Sequence, residues 1–220
     1  MTPTRIEKLR RWGPGRFLYG YLAALLRRLG LRVFVVVRRP HHGVSAEHTG
    51  SPDIDMRLVE WDELFELAAD PELDLDAGFL TAAKARGDIC VGAFDGGRLV
   101  SYLWRAFHPL PAEEGFWVRF DPPNRYGYKA FTRPSHRGLR IQSALAPTTD
   151  RMLLERGYTH AISYVESDNY ASIRSDVHHG NVRIGYAGWF NGFGLRRTFS
   201  TPGAREHGFE FFDPGPTASS

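Results

Sequence analysis

The sequence predicts an α/β (α+β) fold, a central mixed β-sheet flanked by helices and preceded by a helix-strand extension. Three observations predict it. Runs rich in β-branched and aromatic residues alternate with helical patterns along most of the chain. Asp95-Gly96-Gly97 separates two apolar runs and reads as a hairpin turn, because glycine takes positive φ without the clash a Cβ brings. The run ending at Thr132 passes through a turn containing arginine and glycine directly into a long helical pattern.

With 220 residues, 42% hydrophobic and 24% charged, the chain can bury a proper core and has a globular balance, which excludes disordered and fibrous classes. Cys90 is the only cysteine, so no intramolecular disulfide can form, and its place in Ile89-Cys90-Val91 marks a buried small hydrophobe. A reducing cytoplasm fits. Charge is divided unevenly: residues 1–40 hold ten Lys or Arg against one acid, Glu7, and the remainder holds eighteen bases and twenty-four acids. The basic end is therefore expected to meet something acidic, either a membrane surface, an acidic protein or the body of the chain.

Gly13-Pro14-Gly15 breaks any helix begun at Arg5, and a second helical pattern then puts Leu18, Leu22, Leu25 and Leu29 on one face, with Phe17, Tyr21 and Leu26 beside it. The apolar stretch over 17–26 is too short to span a bilayer, and no small-residue cleavage site follows it. Such a helix docks on its own domain or lies on a membrane, which would make a cytoplasmic protein peripheral to that membrane. Residues 31–37 are a strand, and 40–53, with Gly, Ser, Pro and three histidines, a linker. His41, His42 and His48 have no partners at a recognised ligand spacing, so no metal site is expected.

Next come a strand over 54–59, helices over 62–69 and 77–86, and the hairpin strands 89–94 and 98–107. Residues 108–125 read as a loop at a substrate entrance. The aromatic and proline content of 107–128 fits an acceptor or acyl pocket and a core-packing loop equally, and Glu113-Glu114 suits a cationic amine or plain surface charge. A strand over 126–132 leads through Arg133-Pro134-Ser135-His136-Arg137-Gly138 into a helix over 139–156; a strand over 160–165, a short helix ending near His178, and strands over 183–190, 195–200 and 209–212 follow. This divides the chain into a basic extension (1–50), one main domain (51–213) and a frayed tail (214–220).

Strand, two helices, hairpin, strand into long helix, strand into short helix and terminal strands is an order similar to that of the GNAT superfamily of N-acetyltransferases, over about three quarters of the chain. Two local patterns carry the resemblance. Thr132-Arg133-Pro134-Ser135-His136-Arg137-Gly138-Leu139-Arg140-Ile141-Gln142 looks like the family's turn and helix N-terminus for the coenzyme A pyrophosphate, where helix N–H groups, the helix dipole and arginine attract anions. The strand before it resembles the one whose backbone N–H polarises the thioester carbonyl. Asn169-Tyr170-Ala171-Ser172 resembles the family's Asn-x-x-Ala/Ser helix start, which implies contacts to the pantetheine arm from Asn169 and Ser172. The chain departs from the family at Arg140 and Gln142, where glycines are usual, and at Asp176, where many members have a thiolate-protonating tyrosine.

The resemblance implies transfer of an acetyl or other acyl group from acyl-CoA, as cosubstrate, to a primary amine of a small molecule or peptide, without a metal. Glu166, just past a strand end, is the candidate base with Asp168 as its alternative; Asp176 and Tyr170 are candidate acids, with Tyr126, Tyr128 and Tyr164 as further phenols. Asp168 and Asn169 equally suit a helix cap, and His178 and His179 suit a helix C-terminus as well as a proton relay. An acyl carrier protein is an alternative donor, suggested by the missing glycines and the basic N-terminus, and a non-catalytic binding or membrane-associated module is a third reading. Nucleic acid is disfavoured, because the N-terminal arginines flank an apolar helix and no recognised module is present.

Overall fold

The computed structural model describes residues 13–41, 54–178 and 180–215, with the side chains of Arg16, Ser175 and His178 left aside. The helix expected near Arg5, and His42, His48 and His179, lie outside the described residues. In chain order the elements are α1 (Pro14–Arg28), β1 (Leu31–Pro40), β2 (Ile54–Leu58), α2 (Trp61–Leu67), α3 (Ala77–Ala85), β3 (Ile89–Asp95) and β4 (Arg98–Ala106). They continue with β5 (Leu110–Pro111), β6 (Trp117–Arg119), β7 (Asn124–Thr132), α4 (Ile141–Leu154), β8 (His160–Glu166) and α5 (Tyr170–His178). The last are β9 (Val182–Gly192), β10 (Leu195–Ser200), α6 (Pro202–Glu206) and β11 (Glu210–Phe212).

These form two compact units. The first takes the described residues of Met1–Arg38, Pro111–Arg119 and Tyr164–Ser220; the second takes those of Arg39–Leu110 and Phe120–Ser163. Strand β8 begins in the second and ends in the first.

In the second unit the strand order is β8-β7-β4-β3-β2. All neighbours are antiparallel except β7 and β8, which run parallel, so the sheet is mixed. The β3–β4 turn is Gly96-Gly97, both at positive φ, as the Asp-Gly-Gly signal requires. Alternation, shifted by one residue where Val100 bulges opposite β3, then assigns the faces. Tyr102 and Trp104 of β4 pack with Leu64 of α2 and Leu80 of α3, and Val100 and Leu103 pack with Ile141 and Leu145 of α4. Helices thus flank both faces, and each fully buried Leu or Ile contributes roughly 1.5–3 kcal/mol. This is the mixed sheet flanked by helices that the sequence predicts.

In the first unit the order is β10-β9-β1-β8, with β9 antiparallel to both β1 and β10. Its core is aromatic: the Phe34 ring lies 4.9 Å from Trp189, 5.3 Å from Phe211 and 5.0 Å from Tyr164. Backbones approach closely at Gly188, where a Cβ would overlap the carbonyl oxygen of Arg32 on β1.

Three expectations need correction. The segment expected as a loop over 108–125 carries β6, which pairs with β11, and Phe116 and Val118 are buried, so its aromatic content there is core. Pro40 and His41, expected in the linker, are ordered parts of the fold: Pro40 ends β1, and His41 is buried, its N–H donating to Thr159 O at 2.7 Å. Helix α1 docks by an unexpected face. Ala23 is buried, the Tyr19 hydroxyl donates to Ser167 Oγ at 2.8 Å, and Leu18, Leu22, Leu25 and Leu29 all stay exposed. The docked face also carries Arg27, whose two terminal nitrogens both donate to Asp168.

Gly188→Ala should lower the free energy of unfolding by about 2 kcal/mol or more, since the new methyl group must push β1 and β9 apart. Denaturant melts of the two proteins test this; equal midpoints would contradict the close packing of Gly188.

Candidate active site

Strand β7 and the turn after it are the most structured part of the expected donor site. The β7–β8 ladder covers Asn124↔His160 to Tyr126↔Ile162. On its other side β7 pairs with β4, but Trp104 faces Lys129 and Arg105 faces Gly127, leaving Tyr128 as an extra, bulged residue. A bulge frees a backbone position from the ladder and re-aims it, which is why bulges recur beside active sites. The Tyr128 side chain is committed: its hydroxyl donates to Asp88 Oδ2 at 2.9 Å, and burial with that carboxylate pushes the phenol far up from its ordinary value.

Beneath Gly127 lies a cationic cluster. A Cβ on Gly127 would sit 3.1 Å from Arg105 Nη1 and 3.3 Å from Arg125 Nη1, so the absence of a side chain admits both guanidinium groups. Arg105 and Arg125 are buried. Asp150 of α4 faces them as a buried anion: it accepts from Arg125 Nη2 and from Arg39 Nη2, and Oδ1 lies 3.1 Å from His41 Nδ1. Arg125 Nε donates to His41 Nε2 at 3.4 Å, which requires the neutral imidazole with its proton on Nδ1. Burial pushes His41 down from its ordinary value, as do the charges of Arg125 and Arg39, against the opposing pull of Asp150. Burial alone would raise the Asp150 carboxyl. The adjoining His41 imidazole and the charges of Arg125 and Arg39 outweigh it and hold the group well below the carboxylate range. Sequence reasoning missed this cluster, although an arginine inside the apolar run Leu103-Trp104-Arg105-Ala106 was a usable signal.

The turn residues divide into two groups. Arg133 is buried, donating Nε to Leu99 O at 2.7 Å and ion-pairing with Asp70 and Glu72. Thr132 Oγ1 lies 2.9 Å from Ser101 Oγ, and Ile141 belongs to the core against β3 and β4. Gln142 turns inward, its amide donating to Phe131 O at 2.7 Å and Ser101 Oγ at 2.8 Å. His136 Nε2 meets Asp95 at 3.1 Å.

Arg137, Gly138, Leu139 and Arg140 are exposed. Gly138 has φ +83°, and Arg140, which caps α4, has φ +57°, the left-handed region that glycine favours. Arg140 thus holds a backbone conformation that glycine adopts at lower steric cost. No side chain caps α4; Ser143 N–H donates to Arg140 O at 3.0 Å, and the N–H groups of Ile141 and Gln142 open the helix ahead of it. These groups, with Arg137 and Arg140, are the donors suited to a phosphate ester. Among the described residues there is no group of three or more His, Cys, Asp or Glu able to hold a metal ion.

The expected proton-transfer residues fall in the first unit. Glu166 accepts from Arg32 Nη2 at 2.5 Å and from Arg27 Nη1 at 3.4 Å, and Asp168 takes both Arg27 terminal nitrogens at 2.7 and 2.9 Å. Asn169 Oδ1 caps α5 by accepting from Ser172 N–H at 3.2 Å. Tyr170 opens α5, and Asp176 Oδ1 accepts from Asn181 Nδ2 at 3.1 Å. Glu113 and Glu114 both bind Arg32, and Glu114 also accepts from Trp189 Nε1 at 3.2 Å, so these acids serve the unit's own packing.

No family model matches the chain, and no curated protein does. Solved structures similar to it include an aminoglycoside 6'-N-acetyltransferase from Acinetobacter baumannii, 16% identical with a TM-score of 0.43, the match covering 58% of this chain and 89% of that one. A ribosomal-protein-alanine N-acetyltransferase from Brucella melitensis is 20% identical over 48% of this chain and 74% of its own, with a TM-score of 0.35. A transcriptional regulator from Bacillus halodurans is 20% identical over 58% of this chain and 91% of its own, at 0.38.

The buried cluster makes stability depend on pH. His41 is held below its ordinary value, so its contribution is lost as pH falls from about 6.5 toward its folded value. Asp150 is likewise depressed, and its contribution is lost below about pH 4. Denaturant midpoints should therefore fall between pH 7 and pH 5 in the natural chain and fall less in His41→Gln; equal slopes would remove His41 as the cause.

Proposed function

We propose that the chain is an N-acyltransferase that moves an acetyl or other short acyl group from acyl-CoA to a primary amine on a small molecule or peptide. The observation that carries this reading is the bulge at Tyr128. It lies just past the last β7–β8 pair, on a strand that runs through the Arg137–Arg140 turn into the uncapped start of α4. A strand with one unpaired backbone position, followed by an anion-binding turn, suits a donor with a thioester at one end and phosphates at the other.

Amine attack builds negative charge on the thioester oxygen, the carbon–sulfur bond breaks, the amine loses a proton and the sulfur gains one. Backbone N–H groups near the bulge and the buried charges of Arg105 and Arg125 favour that oxygen electrostatically, because fixed donors in a dry site need no reorganisation. Arg137, Arg140 and the α4 N-terminus hold the phosphates. Glu166 is the proposed base, and Tyr170 or Asp176 the group that protonates the sulfur. General acid or base assistance contributes on the order of 10²–10⁴-fold, so positioning can carry most of the rate.

One observation favours a second reading. Arg137, Leu139 and Arg140 form an exposed basic and apolar surface at the turn, with side chains where the family has glycine. That surface suits an acidic acyl carrier protein, whose phosphopantetheine lacks the pyrophosphate.

Joint replacement Arg137→Ala and Arg140→Ala should weaken coenzyme A binding roughly 10- to 100-fold by calorimetry, the loss expected for one or two charge-assisted hydrogen bonds. Unchanged coenzyme A affinity together with lost transfer from an acylated carrier protein would select the second reading. Glu166→Gln should lower kcat by about 10²-fold or more; an unchanged kcat would return Glu166 to the ion-pair cluster with Arg27 and Arg32.

A further inference from the structure

Helix α1 shows solvent the side that its sequence would bury. Its anchored side carries Tyr19, bonded to Ser167, and Arg27, paired with Asp168. Its outer side carries Leu18 at 71% exposure, with Tyr21, Leu22, Leu25 and Leu29 between 46% and 54%. These positions recur at helical spacing and form one continuous stripe. The β9–β10 hairpin adjoins the end of that stripe. Asn191 N–H donates to Gly30 O at 2.8 Å, and a Cβ on Gly192 would lie 2.8 Å from Leu29 O.

At the hairpin tip stands Phe193, 90% exposed. The two-residue turn Phe193-Gly194 has φ +53° and +75°, a conformation that favours Asn-Gly and penalises a bulky aromatic side chain. Phenylalanine is thus a poor choice for the turn and a poor choice for water. Within the hairpin the Phe193 ring stacks toward Phe190, with centroids 6.4 Å apart, yet it stays open to solvent, an exposure that insertion between lipid chains would use.

We propose that the outer face of α1 and the Phe193 tip together form a docking surface for an anionic lipid bilayer, with α1 lying in the plane of the interface. Charge chooses lipid over a second copy of the chain. Arg28, on α1 between Leu25 and Leu29 in sequence, and Arg197, on β10, are exposed. Two copies meeting there would bring like charges together, whereas anionic headgroups would neutralise them. At 15 residues, α1 is about 22 Å long, too short to cross a bilayer. Among the described residues no helix is long and apolar enough to do so.

The test is flotation of the full chain with vesicles of phosphatidylcholine alone and of phosphatidylcholine with phosphatidylserine. The chain should float with the anionic vesicles only, and less so at high salt. Phe193→Asn should reduce flotation about tenfold or more while leaving the melting temperature unchanged or higher, because asparagine suits the turn. Leu22→Glu with Leu25→Glu should abolish flotation. Failure of the natural chain to float with anionic vesicles would overturn the proposal. So would flotation unaltered by either set of changes, or a lipid-free dimer in analytical ultracentrifugation that the same changes dissolve.

Discussion

The buried carboxylate of Asp150 sets the terms for the second unit. It takes contacts from Arg39 and His41 at the end of β1, and from Arg125 on β7, while sitting on α4 itself. Removing those charges from water is costly, and a buried ion cluster of this kind seldom adds net stability over well-packed apolar side chains. What it supplies is registry. With more guanidinium groups than carboxylates, the cluster tolerates few other arrangements of β7 against α4, and it leaves surplus positive charge under Gly127, one residue before the bulge.

Two residues at the start of α4 play different parts. Arg140 takes the left-handed backbone and bears its steric cost where the chain enters the helix. Gln142 instead uses its extra atoms: its amide hydrogens reach carbonyl and hydroxyl oxygens on β4 and β7 and fasten the first turn of the helix to the sheet.

Local periodicity made most of the fold legible. The 54–107 region, the strand-turn-helix around Thr132 and the Asn169 cap follow from patterns within a few residues, and their observed limits lie within about two positions of those expected. What escaped was set by partners distant in sequence. The β6 strand is three residues long and exists because β11 pairs with it; the α6 helix, five residues long, is too short to show a period. The apolar stripe of α1 signalled burial, yet Tyr19 and Arg27 decide which side docks, and their partners Ser167 and Asp168 lie about 140 residues away. In the candidate site, the residue types of the turn were readable, while the inward orientation of Arg133 and Gln142 and the cluster around Asp150 were not, since each depends on which strands meet.

The seclusion of Cys90 has a practical corollary for enzymology. It is the chain's only thiol, it is buried against the α2–α3 side of the sheet, and burial pushes its ionisation far up. Reagents that colour on meeting a thiolate therefore find none on the native protein. For the thioester donor proposed above, any sulfhydryl released would then be countable mole for mole, without a background from the protein.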